Sequence, residues 1–318
     1  MSTTLVETET KQAKPKLVSP AVPVLDASTT SIEEILKGMN VAGGVVIKNA
    51  ISLDKVQQIE SDVRPWLAKD QAWKGDGFFP KETRRAYGLA SKSKTYIEEM
   101  VKHKLYQGVC QAVLTTKISS WIGDKQEHSV SKPQLNTSII FSIGPGAKAQ
   151  QLHRDDMIHH NYPLTAITPA EHTFRREAGI GFFIAGKTAT KANGATRFIP
   201  GSHLWSSETP PDEDLAYYAE LEPGDGFIMY SSCYHAGSAN TTTDQERLLY
   251  CCFSTRGYLR QEENQYLAHD PKVLREMYDD ETLELLGYGV SAPFLGWLNL
   301  QSPLEVLFST KREASDLF

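Results

Sequence analysis

The sequence is poor in several features that assign a chain to a class at once, beginning with cysteine. Its 318 residues include four cysteines, Cys110, Cys233, Cys251 and Cys252, and no CxxC pair. This composition excludes a disulfide framework and a zinc cluster, and it favours a protein of the reducing cytoplasm. The adjacent Cys251 and Cys252 would point to opposite faces of a strand.

Long apolar runs and basic runs are missing as well. The nearest candidate for a membrane span, GIGFFIAG at 179–186, is far shorter than the ~20 residues that a membrane helix needs. The first 16 residues contain no apolar segment, so we expect no signal peptide. A formal net charge of -6 leaves no basic surface for nucleic acid. We therefore expect neither a membrane nor a nucleic acid as partner.

The sequence contains no GxGxxG segment and no P-loop, so the common nucleotide-binding motifs are absent. It shows no internal repeat either. Residues 1–23 are polar and carry three prolines without any periodicity, which predicts a disordered N-terminal extension. The remaining residues, 24–318, have an ordinary composition and predict a single domain with one large core.

The first half of this domain predicts helices. Capping boxes begin two of them, a short helix at Ser31 and a long helix at Thr95 that extends to about residue 120. An amphipathic helix begins after Ser52, and AGGVVIKNAI predicts a buried strand before it. After residue 260, DPKVLREMYDDETLELLGYG returns to a helical pattern with Asp270 as its cap.

From about residue 134 the sequence pattern changes to short β-rich runs separated by turns that contain glycine and proline. The runs are QLNTSIIFSIG, AKAQQLHRD, GIGFFIAG, ATRFIP, DGFIMYSS and RLLYCCFST. Many short strands punctuated in this way predict a sandwich, a jelly roll or a barrel. Because helices precede strands, we expect an α+β, mainly β domain with helices packed on a β core.

The stretch QQLHRDDMIHH, residues 150–160, is rich in potential metal ligands. His153 and Asp155 lie two residues apart on a predicted strand edge, so both side chains would share one face. His235, at the end of the strand after the EPGDG turn, is the best-placed third ligand. Two imidazoles and one carboxylate form the facial triad of non-haem Fe(II) oxygenases.

An enzyme of that kind also needs a cation for the far carboxylate of 2-oxoglutarate. Arg247 follows His235 by twelve residues and opens the run RLLYCCFST. If residues 235–247 form a hairpin, the guanidinium returns to the same cavity and can bind a carboxylate through two hydrogen bonds. A single arginine at a strand end is usually structural, so the hypothesis depends on the combination.

These motifs resemble those of a known family. QQLHRDD, NGATRFIPGSH (193–203), LEPGDGFIMYSSCYHAGSANTT (221–243) and the arginine after them resemble the phytanoyl-CoA dioxygenase family, in particular fungal Fe(II)/2-oxoglutarate oxygenases that act on meroterpenoids and alkaloids. The resemblance runs from about residue 35 to PFLGWLNL near residue 300. It implies a double-stranded β-helix (jelly-roll, cupin-like) core flanked by α-helices, which agrees with the predicted layout.

The resemblance also implies the cofactor chemistry: Fe(II) as metal, 2-oxoglutarate and O2 as cosubstrates, and a small natural product as substrate. It implies that His153, Asp155 and His235 are the catalytic iron ligands. Because Asp155 is present, halogenation is disfavoured, since related halogenases carry a small residue there. The residues that it assigns to 2-oxoglutarate are Arg247, Gln150, Thr196 and, with a surface role as an equal alternative, Asn136.

The resemblance implies hydroxylation of an unactivated C–H bond as the default reaction. Desaturation, epoxidation or ring rearrangement needs only a different substrate pose, and the sequence does not choose among them. A catalytically inactive jelly-roll subunit that only binds a partner is an alternative, which the intact triad and Arg247 argue against. A cupin-like metal hydrolase is another, but it would not need Arg247 or the NGAT turn.

The substrate pocket is expected to be walled by two loop-like regions, 73–93 and 156–178. An alkaloid would need an acidic contact there, for which Asp156 is one candidate, although we expect Asp156 to be structural. His159 and its neighbour His160 are both considered as residues that line this pocket. An exposed basic loop or an ordinary packed aromatic explains equally well each of the candidates Phe79, Arg85, Tyr87, Met157 and Phe253. His159 is also a candidate, but an ordinary loop residue is the favoured alternative there.

The C-terminal stretch YGVSAPFLGWLNLQSPLEVLF is unusually apolar for a tail. An apolar cluster of this kind must pack on its own core or on a partner. The resemblance implies a homodimer, and we expect the cluster to pack partly on its own helices and partly at a dimer contact near the substrate mouth. Packing within the chain alone is the alternative. The cluster consists of Phe294, Leu295, Trp297 and Leu298.

Overall fold

Two β-sheets that enclose a common cavity form the centre of the computed structural model, which describes residues 19–75 and 77–310. The strands are β1 (Val24–Asp26), β2 (Gly44–Lys48), β3 (Thr83–Tyr87), β4 (Thr116–Ile122), β5 (Lys125–Ser131), β6 (Gln134–Ile143), β7 (Gly179–Ala185), β8 (Thr196–Phe198), β9 (Tyr217–Ala219), β10 (Gly226–Tyr230), β11 (His235–Gly237) and β12 (Arg247–Thr255).

The larger sheet has seven strands in the order β1-β2-β10-β7-β12-β6-β3, and the smaller has three in the order β11-β8-β9. Neighbouring strands are antiparallel except for β1 and β2, which are parallel. β4 and β5 form a separate hairpin. The two facing sheets make the expected double-stranded β-helix, with the cavity between them.

The helices cover the outer face of the larger sheet and the C-terminal end of the chain. They are α1 (Ile32–Ala42), α2 (Leu53–Leu67), α3 (Lys94–Tyr96), α4 (Lys104–Leu114), α5 (Gln265–Ala268), α6 (Pro271–Met277), α7 (Asp280–Leu283) and α8 (Pro303–Phe308). None of the helices in the described ranges is long and apolar enough to cross a membrane.

Both faces of the central strands of the larger sheet are buried, which explains why β2, β7, β10 and β12 read as nearly continuous apolar runs. On β7, Phe182 stacks on Tyr106 of α4, whereas its neighbour Phe183 faces the cavity. On β12, Cys251 faces the cavity and Cys252 does not. The expected opposite orientation of the two cysteines is therefore confirmed, and all four cysteines are free and buried.

Two sequence-predicted helix starts are confirmed. Ser31 and Glu34 make the expected capping box at the start of α1. Asp270 caps α6, and Pro271 occupies its first position. Ser52 precedes α2 as predicted, but its side chain makes no capping hydrogen bond. The predicted long C-terminal helix is divided into α6, α7 and a wide turn at 284–288 that contains Gly287 with φ 98°.

The single helix predicted for 95–120 is wrong. α3 starts after Ser93, not at Thr95, and a wide helical turn at 97–101 separates it from α4, which His103 caps. α4 ends at Leu114, and β4 begins two residues later. The apolar periodicity marked the buried face correctly, but it ran only to Val113, so residues 116–131 were free to form a hairpin.

The strand predicted around AKAQQLHRD is also absent from the described structure. Residues 148–152 are irregular, and His153 forms an isolated β-bridge with His235. Asp155 begins a single helical turn at 155–159. Of the predicted N-terminal extension, residues 1–18 lie outside the described residues. Residues 19–23 are placed on the domain, since the Pro23 carbonyl accepts a hydrogen bond from Val46.

Candidate active site

The cavity between the two sheets has a volume of about 470 Å³ and is lined mainly by apolar side chains. Alternate residues of two adjacent strands of the larger sheet form its floor, because every second side chain of a strand points to the same face. They are Thr137, Ile139, Phe141 and Ile143 of β6, and Arg247, Leu249, Cys251 and Phe253 of β12.

The expected triad assembles at this cavity. The ligand atoms of His153, Asp155 and His235 all lie within 4.8 Å of one another. The two carboxylate oxygens of Asp155 are 3.4 Å from Nε2 of His153 and 3.3 Å from Nε2 of His235. Three ligand atoms that converge from one side fit a metal ion that keeps its remaining positions open.

Main-chain pairing brings the two imidazoles together. His153 and His235 exchange both of their main-chain hydrogen bonds, at 3.0 and 2.9 Å, and their ring centroids are 4.7 Å apart. Asp155 reaches the same point from the first residue of the 155–159 turn. The three residues that the sequence predicted do come together, but a turn and not the pleat of a strand places the carboxylate beside the imidazoles.

Each imidazole is oriented by a hydrogen bond on the side away from the triad. Nδ1 of His153 lies 2.8 Å from the Gln151 carbonyl oxygen, and Nδ1 of His235 lies 3.1 Å from that of Cys233. Since a carbonyl only accepts, both Nδ1 atoms carry the proton, which leaves Nε2 free to bind a metal. The donor set therefore fits Fe(II) in charge and tautomer.

Arg154 connects the two ligand segments. It lies between His153 and Asp155 in sequence, is almost fully buried, and stacks over the ring of Tyr234 at 4.2 Å. Tyr234 directly precedes His235. Nη2 of Arg154 also donates to the Ser202 carbonyl at 2.7 Å. This stacking restrains both segments that carry the triad.

Burial raises the pKa of Asp155, but the charges and hydrogen bonds of His235 and His153 lower it more, so that the carboxyl lies well below its usual range. Asp155 is thus ionised at neutral pH and supplies one negative charge against a bound cation. The Phe78 ring lies against His153, with centroids 5.3 Å apart, and covers one side of the triad.

Arg247 is buried at the edge of the same cavity and has no acidic partner in the described part of the chain. Nη2 donates to the Thr196 hydroxyl at 2.7 Å, whereas Nε makes no hydrogen bond. Burial lowers the pKa of Arg247 to about 10, so the guanidinium remains charged at neutral pH. A desolvated cation with an unused donor fits the C5 carboxylate of 2-oxoglutarate.

The sequence suggested that a hairpin over residues 235–247 brings Arg247 to the site, but these described residues form no such hairpin. β11 belongs to the smaller sheet and β12 to the larger one, so the chain crosses the cavity between His235 and Arg247. Gln150 binds to β11 beside Arg247, since its Oε1 accepts a hydrogen bond from the Gly237 amide at 3.0 Å. A Cβ at position 237 would lie 3.0 Å from that oxygen and 3.5 Å from Nη1 of Arg247.

Several predicted residues line the cavity together with the triad. Gln150 and Thr196 lie near Arg247, as expected for residues that contact the cosubstrate. Asp156 is buried and holds Asn161 at 3.1 Å, so it is structural and does not supply the acidic contact in the pocket. The predicted substrate-pocket residues that line the cavity are Phe79, Tyr87, Met157 and Phe253.

Three predicted residues lie outside the cavity lining. Asn136 is the extra residue of a bulge in β6 and bonds to Glu262, so it does not line the cavity with Arg247 and its predicted contact with 2-oxoglutarate gains no support. Arg85 is buried behind Phe79 and pairs with Asp70 at 3.0 Å. His159 turns its Nε2 to the Arg260 carbonyl at 3.0 Å, and His160 does not reach the cavity either.

Sequence reasoning missed other lining residues. Trp73 and Phe78 lie in the aromatic loop that was expected to wall the pocket, so the region was right and the individual residues were not singled out. Strand alternation could have identified both Phe141 and Phe183. Phe141 lies two residues from the cavity-facing Ile139 and Ile143, and Phe183 follows Phe182, which faces the helices. Glu262 follows the last strand and carried no signal of its own.

Fold and triad together define a cupin-like non-haem iron oxygenase. Residues 39–248 match the family model described as phytanoyl-CoA dioxygenase (PhyH). The match covers more than half of the sequence, and the chain belongs to this family.

Curated relatives extend over most of the chain. It is 41% identical to the dioxygenase peniF of Penicillium patulum, over 89% of this chain and 91% of the relative. It is 37% identical to the dioxygenase himG of Aspergillus japonicus, over 91% of each. It is 30% identical to the iron/alpha-ketoglutarate-dependent dioxygenase ausU of Aspergillus calidoustus, over 70% and 71%.

Solved structures share the fold. The non-heme alpha ketoglutarate dependent carbocyclase SnoK from nogalamycin biosynthesis superposes with a TM-score of 0.54 at 16% identity, over 76% of this chain and 91% of that one. HygX from Streptomyces hygroscopicus, solved with nickel and 2-oxoglutarate, gives 0.52 at 13% identity, over 74% and 91%. These likenesses support the jelly-roll architecture.

We expect one Fe(II) to bind per chain, and His153→Ala or Asp155→Ala to weaken that binding at least ~100-fold, since changes to outer partners alone cost ~10–100-fold. Calorimetric titration with Fe(II) under anaerobic conditions measures the affinity. His159→Ala is the matched control, because it removes an imidazole four residues from Asp155 that does not face the cavity. Wild-type affinity in folded His153→Ala protein would show that the metal lies elsewhere.

Proposed function

We propose that the chain is an Fe(II)- and 2-oxoglutarate-dependent oxygenase that hydroxylates an unactivated C–H bond of a small natural product in fungal secondary metabolism. The observation that carries the proposal is Arg247, a buried cation without a described acidic partner in the same cavity as the triad. The fungal dioxygenases at 37–41% identity support the reaction class and the setting.

His153, Asp155 and His235 would hold the iron through Nε2, a carboxylate oxygen and Nε2. When bound, iron and 2-oxoglutarate supply the oxidising power, as O2 and the 2-oxo acid are converted with release of succinate and CO2. Arg247 binds the C5 carboxylate and so fixes the cosubstrate's orientation. Because the Thr196 hydroxyl accepts from Arg247, its own proton is free to donate to the same carboxylate.

The remaining walls position the substrate and exclude water. Phe79, Phe141 and Phe183 contribute aromatic surface, and the lining is apolar over most of its area. Such a cavity suits a small molecule with a rigid apolar framework. Desaturation, epoxidation or rearrangement would need no change in these residues, only a different pose of the substrate above the triad.

The two alternatives need less than the site contains. A binding subunit without catalysis would not need three convergent ligand atoms with oriented imidazoles. A metal hydrolase would not need a buried guanidinium near the metal site. The first alternative therefore leaves the triad without a purpose, and the second leaves Arg247 without one.

Purified protein is expected to convert 2-oxoglutarate to succinate slowly without substrate, and only when Fe(II) and O2 are present. The residues that bind the cosubstrate are already in place, so some uncoupled turnover should follow. Mass-spectrometric detection of succinate measures it, and Asp155→Ala serves as the control. Succinate formation that survives removal of iron would contradict the proposal, as would its absence in protein shown to bind both Fe(II) and 2-oxoglutarate.

Arg247→Ala should weaken 2-oxoglutarate binding by two to three decades, since breaking a largely desolvated charge pair costs ~3–5 kcal/mol. Fe(II) affinity should change much less, because Arg247 is not among the triad. Titration of each ligand separately gives both constants. Arg85→Ala removes another buried guanidinium that lies outside the cavity lining and is the matched control. An unchanged 2-oxoglutarate constant in Arg247→Ala would assign the clamp to another residue.

We also propose that the enzyme acts in the cytoplasm as a homodimer. The four buried free thiols support a reducing compartment. The C-terminal cluster supports association, because its side chains are between 42% and 51% exposed in one chain. These side chains, Phe294, Leu295, Trp297 and Leu298, would lose contact with water at an interface.

Light scattering of the full chain at micromolar concentration is expected to give the mass of two chains. Trp297→Ala combined with Leu298→Ser should shift the protein to monomer, because the change removes apolar area from the proposed contact. Leu267→Ser is the matched control, since Leu267 is 84% exposed and lies outside the cluster. A monomeric wild type would refute the dimer, whereas a dimer that resists both changes would refute only its location.

A further inference from the structure

The cavity has two ends, and β6 shows how far apart they are. Arg247 pairs with Ile143 near the C-terminal end of β6, whereas Phe253 pairs with Thr137 near its start. Six residues separate the two pairs along β6, which corresponds to ~20 Å of strand. The cosubstrate residues therefore occupy one end, and Phe253 marks the other.

Glu262 lies at the Phe253 end. The bulge in β6 leaves Asn136 without a partner in β12 and directs its side chain to Glu262. Oδ1 of Asn136 accepts from the Glu262 amide at 2.8 Å, and Nδ2 donates to Oε2 of Glu262 at 3.4 Å. The next residue, Glu263, is anchored by the Gly88 amide at 2.6 Å. The Asn136 side chain thus holds both the main chain and the carboxyl group of Glu262, and Glu262, an exposed residue, lines the cavity.

The triad lies between the two ends. Gln150 sits beside Arg247, and His159, at the end of the following turn, contacts the carbonyl of Arg260, two residues before Glu262. His153 and Asp155 lie in the middle of that segment. A molecule that enters on the side away from Arg247 therefore meets the triad and Glu262 together.

Glu262 is the acidic side chain of the lining that the cosubstrate chemistry leaves unused. Desolvation by the surrounding protein, together with the charges of Asp155 and Glu263, raises the pKa of Glu262 to about 7, so a cationic partner would favour its ionised form. Fe(II), Asp155, Arg247 and the 2-oxoglutarate dianion balance in formal charge. Lys148 also lines the cavity, but it follows Ile143 closely in the chain and so belongs to the Arg247 end. Within the described residues Glu262 forms no ion pair, and the Asn136 amide is its one side-chain donor.

The surroundings of Glu262 suit a cation. The lining at this end includes Tyr87 and Phe253, and the Phe253 ring packs edge-on against Phe183 with centroids 5.4 Å apart. Aromatic faces attract organic cations, and a carboxylate beside them adds a direct charge partner. A wholly apolar substrate would instead cover a carboxylate and leave it poorly paired, which costs free energy.

We propose that Glu262 selects substrates that carry a basic nitrogen, by pairing its carboxylate with the protonated amine at the end of the cavity opposite Arg247. This inference rests on the proposed function and narrows its substrate class. It also replaces Asp156, which the sequence suggested as the acidic contact, with a residue that faces the cavity.

The probe for this site is benzyltrimethylammonium, a quaternary cation that cannot coordinate iron. Its uncharged counterpart is 2-methyl-1-phenyl-2-propanol, which has nearly the same shape. Both are titrated by calorimetry into the full chain loaded anaerobically with Fe(II) and 2-oxoglutarate. We expect the wild type to prefer the cation, and Glu262→Gln to weaken cation binding up to roughly fivefold, the upper end for exposed ion pairs, with the neutral probe unaffected.

Glu276→Gln is the matched control, because it makes the same change in net charge at an exposed residue outside the cavity lining. A wild type that does not bind the cation, or binds it as well after Glu262→Gln, would overturn the inference. Should that variant not fold, the wild type alone decides, since cation binding must then weaken with added salt and binding independent of salt counts against it. Loss of Fe(II) or 2-oxoglutarate binding would instead implicate the proposed function.

Discussion

The β-bridge between His153 and His235 is the interaction on which the rest of the site depends. Two main-chain hydrogen bonds join segments that are 82 residues apart in sequence, and they place both imidazoles on one side of the cavity. The Arg154–Tyr234 stacking then restrains the same two segments through side chains. Because a metal site tolerates little movement of its ligands, the pairing of two short segments determines whether the triad exists.

The two-sheet architecture explains why Arg247 can remain without a described acidic partner. A buried guanidinium is costly unless its charge is compensated, and β12 holds this one through strand pairing on both sides. The free energy gained when the sheet folds therefore offsets the cost of burying the Arg247 guanidinium. Arg247 is thereby prepared to bind a carboxylate without losing side-chain freedom at the moment of binding.

The sequence predicted those features that depend on local pattern. Strand alternation correctly separated Cys251 from Cys252, and the capping box at Ser31 began a helix as expected. Features that depend on contacts between residues distant in sequence could not be predicted from the local pattern. The bulge that turns Asn136 towards Glu262 depends on the register with β12, and the position of Asp155 depends on a turn in a segment without periodicity. The three residues of the triad do converge, although the strand predicted to carry His153 and Asp155 is not formed in this described segment.

The cavity is thus polarised along β6, with arginine at one end, the metal ligands between, and a carboxylate at the other. For the proposed reaction this order would have a chemical consequence, because Arg247 attracts a dianionic cosubstrate and an ionised Glu262 repels it. Opposite charges at the two ends would keep the cosubstrate and a cationic substrate from exchanging places. The substrate C–H bond that is oxidised would then be determined by its distance from the basic nitrogen, since Glu262 and the triad are fixed to the same framework.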